Sequence, residues 1–180
     1  MSNQSSIQEA VRFPWYAVRV RSNFEKKTAT LLQQKGLEEF APTYKSRRYW
    51  SDRVKVIERP LFPGYVFCRF DARNPLPVLQ TAGVVHVVSF GGDPVAVDDA
   101  EIESVRAMVD SALPLFPHAF LRLGERVRVK RGPLSGVEGI LERFEKGCRI
   151  VVSVSLLQRS VAAEMDAEWV SAVSGWGGLE

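Results

Sequence analysis

The sequence predicts an α+β N-terminal domain, an antiparallel sheet flanked by helices, joined by a linker to a small all-β barrel. Three observations predict it. Residues 15–110 alternate strand-like segments with helices that cannot all be crossovers. Residues 111–123 turn Pro- and Leu-rich, with Pro114, Pro117 and His118. From Gly124 onward only short strand-like runs remain, with Gly132, Gly136 and Gly147 at the turns. The 180 residues leave room for two small domains. The expected boundaries are a flexible start over 1–13, the α+β domain over 14–111, the linker over 112–123, the barrel over 124–173 and a tail over 174–180.

Trp15 to Arg21 alternates, with Tyr16, Val18 and Val20 on one side and Trp15, Ala17, Arg19 and Arg21 on the other, which is a strand. Asn23 is placed to cap a helix over about 23–35. Its apolar positions Phe24, Thr28, Leu31 and Leu32 follow the helical period, and Gly36 stands where a helix end takes a left-handed residue. Thr43 to Arg59 reads as a hairpin turning at Ser51-Asp52. It interleaves Lys45, Arg47, Arg48, Arg53, Lys55 and Arg59 with Tyr44, Tyr49 and Trp50. Such a ribbon fits a nucleic-acid contact, and equally an exposed hairpin kept soluble by charge.

The run from Arg59 through Leu61-Phe62-Pro63-Gly64-Tyr65-Val66-Phe67-Cys68 to Phe70 is the most informative. Val66, Cys68 and Phe70 point one way along the strand, Tyr65 and Phe67 the other. Either the strand is buried on both sides, or Tyr65 and Phe67, with Phe62 from the preceding turn, form a solvent-facing aromatic patch that needs a partner. A short helix over about 74–80 and a β-rich run from Val84 to Phe90, ending at Gly91-Gly92, follow. Asp98-Asp99-Ala100-Glu101 before Ile102, Val105 and Val109 fits a capping box, so these carboxylates open a helix rather than form a catalytic pair. In the last third, strands are expected over 126–130, 137–144, 149–155, 160–165 and at Trp169-Val170, a small SH3-like barrel.

Residues 1–60 carry 12 Lys and Arg against 6 Asp and Glu, residues 61–120 carry 3 against 7, and the last third carries 9 against 8. A basic first third suits nucleic acid, although a solvated basic face needs no such partner. No long apolar run or leader pattern is present, which predicts a cytoplasmic protein without a membrane contact. Cys68 and Cys148, 80 residues apart in apolar contexts, are expected as reduced buried thiols. With His86 and His118 as the only histidines, no metal-ligand spacing is visible and no cofactor is expected. Nucleotide-binding, hydrolase and metalloprotease motifs are missing, which argues against an enzyme, and His86 is expected as a satisfied core residue.

Leu-Phe-Pro-Gly-Tyr-Val-Phe after a basic hairpin resembles the signature of the NusG family of transcription elongation factors, whose N-terminal unit is the NGN domain. The stretch from Gly124-Glu125-Arg126-Val127 through Gly132-Pro133-Leu134-Ser135-Gly136 to Gly139-Ile140 resembles a KOW motif. There Val127 and Val129 fill the barrel, while Gly132, Gly136 and Gly139 permit tight or left-handed backbone. The resemblance spans about residues 14–173, with Trp15-Tyr16 opening the NGN domain and the run from Thr81 to Gly92 matching a later strand. The short segment before Pro42 and the run from Leu156 to Val161 are similar to the specialised UpxY and RfaH antiterminators. A general elongation and termination factor, or a KOW-type RNA- or ribosome-binding protein, are the alternatives.

The resemblance implies a monomer that docks on the clamp helices of the largest RNA polymerase subunit and suppresses pausing or termination at specific operons. The residues so implicated are Trp15, Phe62, Pro63, Gly64, Tyr65, Phe67 and Val84, with Tyr16 rather than Trp15 expected in the core. Arg21, Lys26 and Lys27, with the hairpin's Arg47 and Arg48, are expected to meet non-template DNA or nascent RNA. Leu156, Leu157 and Arg159 of the barrel are expected to meet a ribosomal protein or the Rho helicase, Leu157 standing where the general factor carries an aromatic residue. RfaH hides its second unit as a helical hairpin. Here Gly132, Gly136, Gly139 and Gly147, with Ile150, Val151, Val152 and Val154, favour strand.

Overall fold

The alternation at Trp15 to Arg21 becomes β1 (Trp15–Val20), the middle strand of a sheet that both ends of the first unit build around. The structure, a computed structural model, describes residues 12–49, 54–120, 124–144 and 147–173. Most of the expected flexible start, the hairpin tip at Ser51-Asp52 and the expected tail lie outside these residues. After β1 come α1 (Glu25–Gln34), β2 (Glu39–Phe40), the ribbon of β3 (Thr43–Tyr49) and β4 (Val54–Pro60), then β5 (Tyr65–Arg69) and α2 (Leu76–Leu79). The short strands β6 (Val84–Val87), β7 (Ser89–Phe90), β8 (Asp93–Pro94) and β9 (Ala96–Val97) lead to α3 (Asp99–Asp110). The sheet order is β2-β5-β1-β6, with β9 also on β1, and β3-β4 and β7-β8 stand as separate two-stranded ribbons.

Antiparallel pairing of β1 with β5 sets Trp15 opposite Arg69, Ala17 opposite Phe67 and Arg19 opposite Tyr65. Because neighbours along a strand face opposite ways, two cores result. Tyr16, Val18, Val20, Val66, Cys68 and Phe70 pack with Ala29 and Leu32 of α1 and Val78 of α2. Trp15, Ala17 and Phe67 enter the other core with Ile102, Val105 and Met108 of α3. Each fully buried aliphatic side chain contributes about 1.5–3 kcal/mol.

Helix starts differ from expectation in two ways. Asn23 does not cap α1. It sits at φ +65°, and Phe24 takes the N-cap position without a side-chain cap. Asp98 does cap α3, its Oδ1 accepting from Ala100 N at 2.8 Å, but Glu101 does not fold back to complete the box and reaches the barrel instead. His86, expected in the core, is exposed on β6, because β6 is an outer strand whose Val87 alone is buried.

The second unit orders its strands β10-β14-β13-β12-β11-β15, from β10 (Leu115–Ala119), β11 (Glu125–Val129), β12 (Glu138–Phe144), β13 (Gly147–Val154), β14 (Arg159–Met165) and β15 (Val170–Ala172). The Pro- and Leu-rich segment read as linker therefore supplies a strand, β10, with Phe116 opposite Ala162 and His118 opposite Ser160. It is an outer strand, where Pro117's missing N–H leaves no central ladder bond unmade. Leu156 and Leu157, between the two expected strands, form with Ser155 a short 3-10 turn joining β13 and β14.

Cys68 and Cys148 are free and buried. Burial, reinforced by Glu39 and Glu38, pushes the Cys68 thiol up to about 12. Native protein at pH 8 is accordingly expected to leave Cys68 unalkylated by iodoacetamide and to label it fully in urea, read by mass spectrometry. Among the described residues no helix is long and apolar enough to cross a membrane.

Candidate functional site

Phe62 to Tyr65 forms a turn that decides where the aromatic groups point. Pro63 at its second position and Gly64, at φ +82°, at its third meet the demands of a type II turn, and Tyr65 N donates to Phe62 O at 3.0 Å. The buried Glu25 on the first turn of α1 holds it in place, with Oε1 accepting from Gly64 N at 2.7 Å, while Val20 N donates to Gly64 O at 2.9 Å. Phe62 turns inward onto Phe67, edge to face at 5.3 Å, and Pro63 remains exposed. Such a pair adds about 0.5–1.5 kcal/mol beyond the area it buries.

The alternative of a solvent-facing patch is overturned for most of its members. Phe62 is 1% exposed and Phe67 and Trp15 are 0% exposed, so the strand is buried on both sides, with Tyr65 half-buried at the margin. Trp15 and Tyr16 are both core. Trp15 lies under the guanidinium of Arg69, 4.7 Å from its ring centre, and Arg106 stands 5.7 Å from the same ring. Arg69, 5% exposed, pairs with Glu38 at 3.2 Å and Asp99 at 3.1 Å. Val84 packs against the α1 side of the sheet, so it does not join this surface.

What covers the second face is α3 together with the barrel. One continuous buried cluster contains Phe62 and Phe67, α3's Ile102 and Met108, and barrel residues such as Val152 and Val154, with Leu156 and Leu157 packed against it. Polar groups stitch the margin. Arg159 Nη1 donates to Pro63 O at 3.0 Å, and its guanidinium lies 5.1 Å from the Tyr65 ring centre, as Arg19 does at 4.9 Å. Both carboxylate oxygens of Glu101 accept from Ser155 N at 3.2 Å. Beside this contact lies a cleft of about 380 Å³, lined by Asp98, Glu101 and Ser104 of α3 and by Arg126, Ser153 and Ser155 of the barrel. The residues expected to bind a partner of the first unit and those expected to bind a partner of the second thus meet one another.

The basic residues are less concentrated. Arg21, Lys26 and Lys27 are exposed, but Lys26 pairs with Glu58 at 3.5 Å, and Lys27 Nζ sits 5.6 Å from the Phe24 ring. The side chains of Arg47 and Arg48 lie outside the described residues. In the glycine-ruled loop Gly132 and Gly136 have φ +79° and +92°. Gly139 has no left-handed backbone; its role is close approach, since a Cβ there would stand 2.7 Å from Val151 O. Pro133 is exposed in the loop. Sequence reasoning missed Arg19, Glu25 and Glu101. Only Arg19 carried a signal, a cation on the Trp15 and Ala17 side of an apolar strand. Among the described residues no group of His, Cys, Asp and Glu could hold a metal ion.

The family model described as "Transcription termination factor nusG" matches residues 13–106, the sheet and most of α3. The chain belongs to the NusG family. Its relatives within that family include the transcription termination/antitermination protein NusG of Borreliella burgdorferi, 27% identical over 88% of this chain and 98% of the relative. The protein of the same name from Pseudomonas aeruginosa is 29% identical over 88% of this chain and 98% of its own length. In three dimensions the chain is similar to Thermotoga maritima NusG, solved in a study of domain interaction, with a TM-score of 0.51 and 20% identity over 89% of this chain and 97% of that one. That NusG likeness carries the fold alone.

Proposed function

We propose that this NusG-family chain binds RNA polymerase at the clamp helices of the largest subunit through the Phe62–Phe67 segment, and that it suppresses pausing or termination at particular operons in the manner of UpxY and RfaH. The observation that carries this reading is the cover itself. An apolar surface built from rigid aromatic rings on a fixed turn is closed by α3 and, at the Pro63-Tyr65 margin, by a separate unit through non-covalent contacts, an arrangement that suits a docking surface kept from solvent until its partner arrives.

Docking acts by differential affinity. A factor that binds the elongating conformation of polymerase better than the paused one by about 1.4 kcal/mol changes pausing tenfold, with no bond made or broken. Arg21 and Lys27 meet non-template DNA or nascent RNA in this reading, which their exposure near the end of β1 and on α1 supports. Leu156, Leu157 and Arg159 serve the barrel's own partner, a ribosomal protein or Rho, once they leave the first unit. The general-factor reading draws its support from the names of the relatives.

The test is capture of core RNA polymerase by wild-type and Tyr65→Ala protein, with a single-round pausing assay alongside. Tyr65→Ala is expected to weaken capture by at least tenfold and to abolish pause suppression, since an aromatic anchor in an interface carries about 2 kcal/mol or more. A variant that captures polymerase and suppresses pauses like the wild type would remove the reading.

A further inference from the structure

The β3-β4 ribbon divides its charges by face. Directly opposed residues of an antiparallel pair share a face. The register therefore places Tyr44 with Arg59, Ser46 with Ile57 and Arg48 with Lys55 on one side, and Lys45 with Glu58 and Arg47 with Val56 on the other. The first side carries the cations Lys55 and Arg59 and no carboxylate. The second is neutralised near its base, because Glu58 stands opposite Lys45 and also takes the Lys26 ammonium.

Lys55 and Arg59 are exposed. Four residues of strand separate them by about 13 Å, a length over which one strand of a duplex presents about four phosphates. Tyr44, half-buried against the core at the foot of the ribbon, roots this face on the first unit. A two-stranded ribbon is also a shape that a major groove admits.

We propose that this face binds the sugar-phosphate backbone of a nucleic acid, with Lys55 and Arg59 as its phosphate contacts. The contact does not depend on polymerase docking, so it is measured on the full chain alone. Fluorescence anisotropy across a salt series reads binding to a labelled 30-nucleotide DNA duplex, to the same length of single-stranded DNA and to single-stranded RNA. Lys55→Ala combined with Arg59→Ala is expected to weaken binding and to lower the slope of log K against log salt by about 1.8 on duplex or about 1.4 on a single strand. Lys45→Ala, on the opposite face, is expected to leave that slope within about 0.3 of wild type. Circular dichroism of each variant establishes that the fold is kept. The strand type that shows the larger slope change identifies the source of the phosphates. An unchanged slope in the double variant, an equal loss with Lys45→Ala, or no binding by the wild type would overturn the proposal. So would displacement by poly-glutamate as effective as by unlabelled DNA, which would assign an acidic polypeptide instead.

Discussion

Arg159→Ala combined with Glu101→Ala is expected to bind core RNA polymerase about tenfold more tightly than the wild-type chain. The two side chains supply polar contacts between the units, Arg159 to Pro63 and Tyr65, and Glu101 to Ser155. Each such contact is worth about 0.5–1.5 kcal/mol net, and their joint loss of about 1.4 kcal/mol raises the uncovered fraction tenfold while that fraction is small. Apparent affinity is the intrinsic affinity scaled by the binding-competent fraction, so the gain appears directly in a polymerase titration. The direction is the informative part, because deleting contacts ordinarily lowers affinity. Adding Tyr65→Ala to the double variant should reverse the gain, since the docking ring itself is then gone. Affinity equal to or below wild type in the double variant would show that the barrel does not limit access.

Arg69→Ala should destabilise the first unit by about 2–3 kcal/mol. Arg69 is 5% exposed, stacks on Trp15 and ties Glu38 on the edge of β2 to Asp99 at the start of α3. Removing one member of a buried pair costs about 3–5 kcal/mol where the other stays dry. Here Glu38 and Asp99 are about half exposed and rehydrate, which lowers the figure. A fall of about 1 M in the urea midpoint, followed by tryptophan fluorescence, is the expected reading. Arg106→Ala, at a site 36% exposed, should cost less than half as much.

Where a period of two or 3.6 residues met a buried face, the sequence was legible. Alternation in Trp15–Val20 and Tyr65–Arg69 sorted the residues that enter the two cores, and the strand-only pattern after Gly124 held in every expected strand but the last, where Trp169 lies in a short turn. Alternation alone leaves open what lies over the second face. Tyr65 and Phe67 read the same under solvent, a partner or another part of the chain, and only the three-dimensional contacts choose α3 and the barrel. Leu115–Ala119 was obscured by its prolines, which mark a linker in sequence but are compatible with an outer strand. Glu101 was read through its spacing from Asp98, a local rule, whereas its partner Ser155 is 54 residues away. His86 was judged by its apolar neighbours, and those belong to a strand with one side toward solvent.

The short connection between α3 and β10 has its own consequence. Only residues 111–114 separate Asp110 from Leu115, a span of about 14 Å at full extension. Unless β10 peels from β14, a displaced barrel pivots on that leash and never leaves the neighbourhood of the surface it covered. Its local concentration then stays in the millimolar range whatever the dilution of the protein. Reclosure is a first-order event, and any external ligand competes with an intramolecular rival that dilution does not weaken.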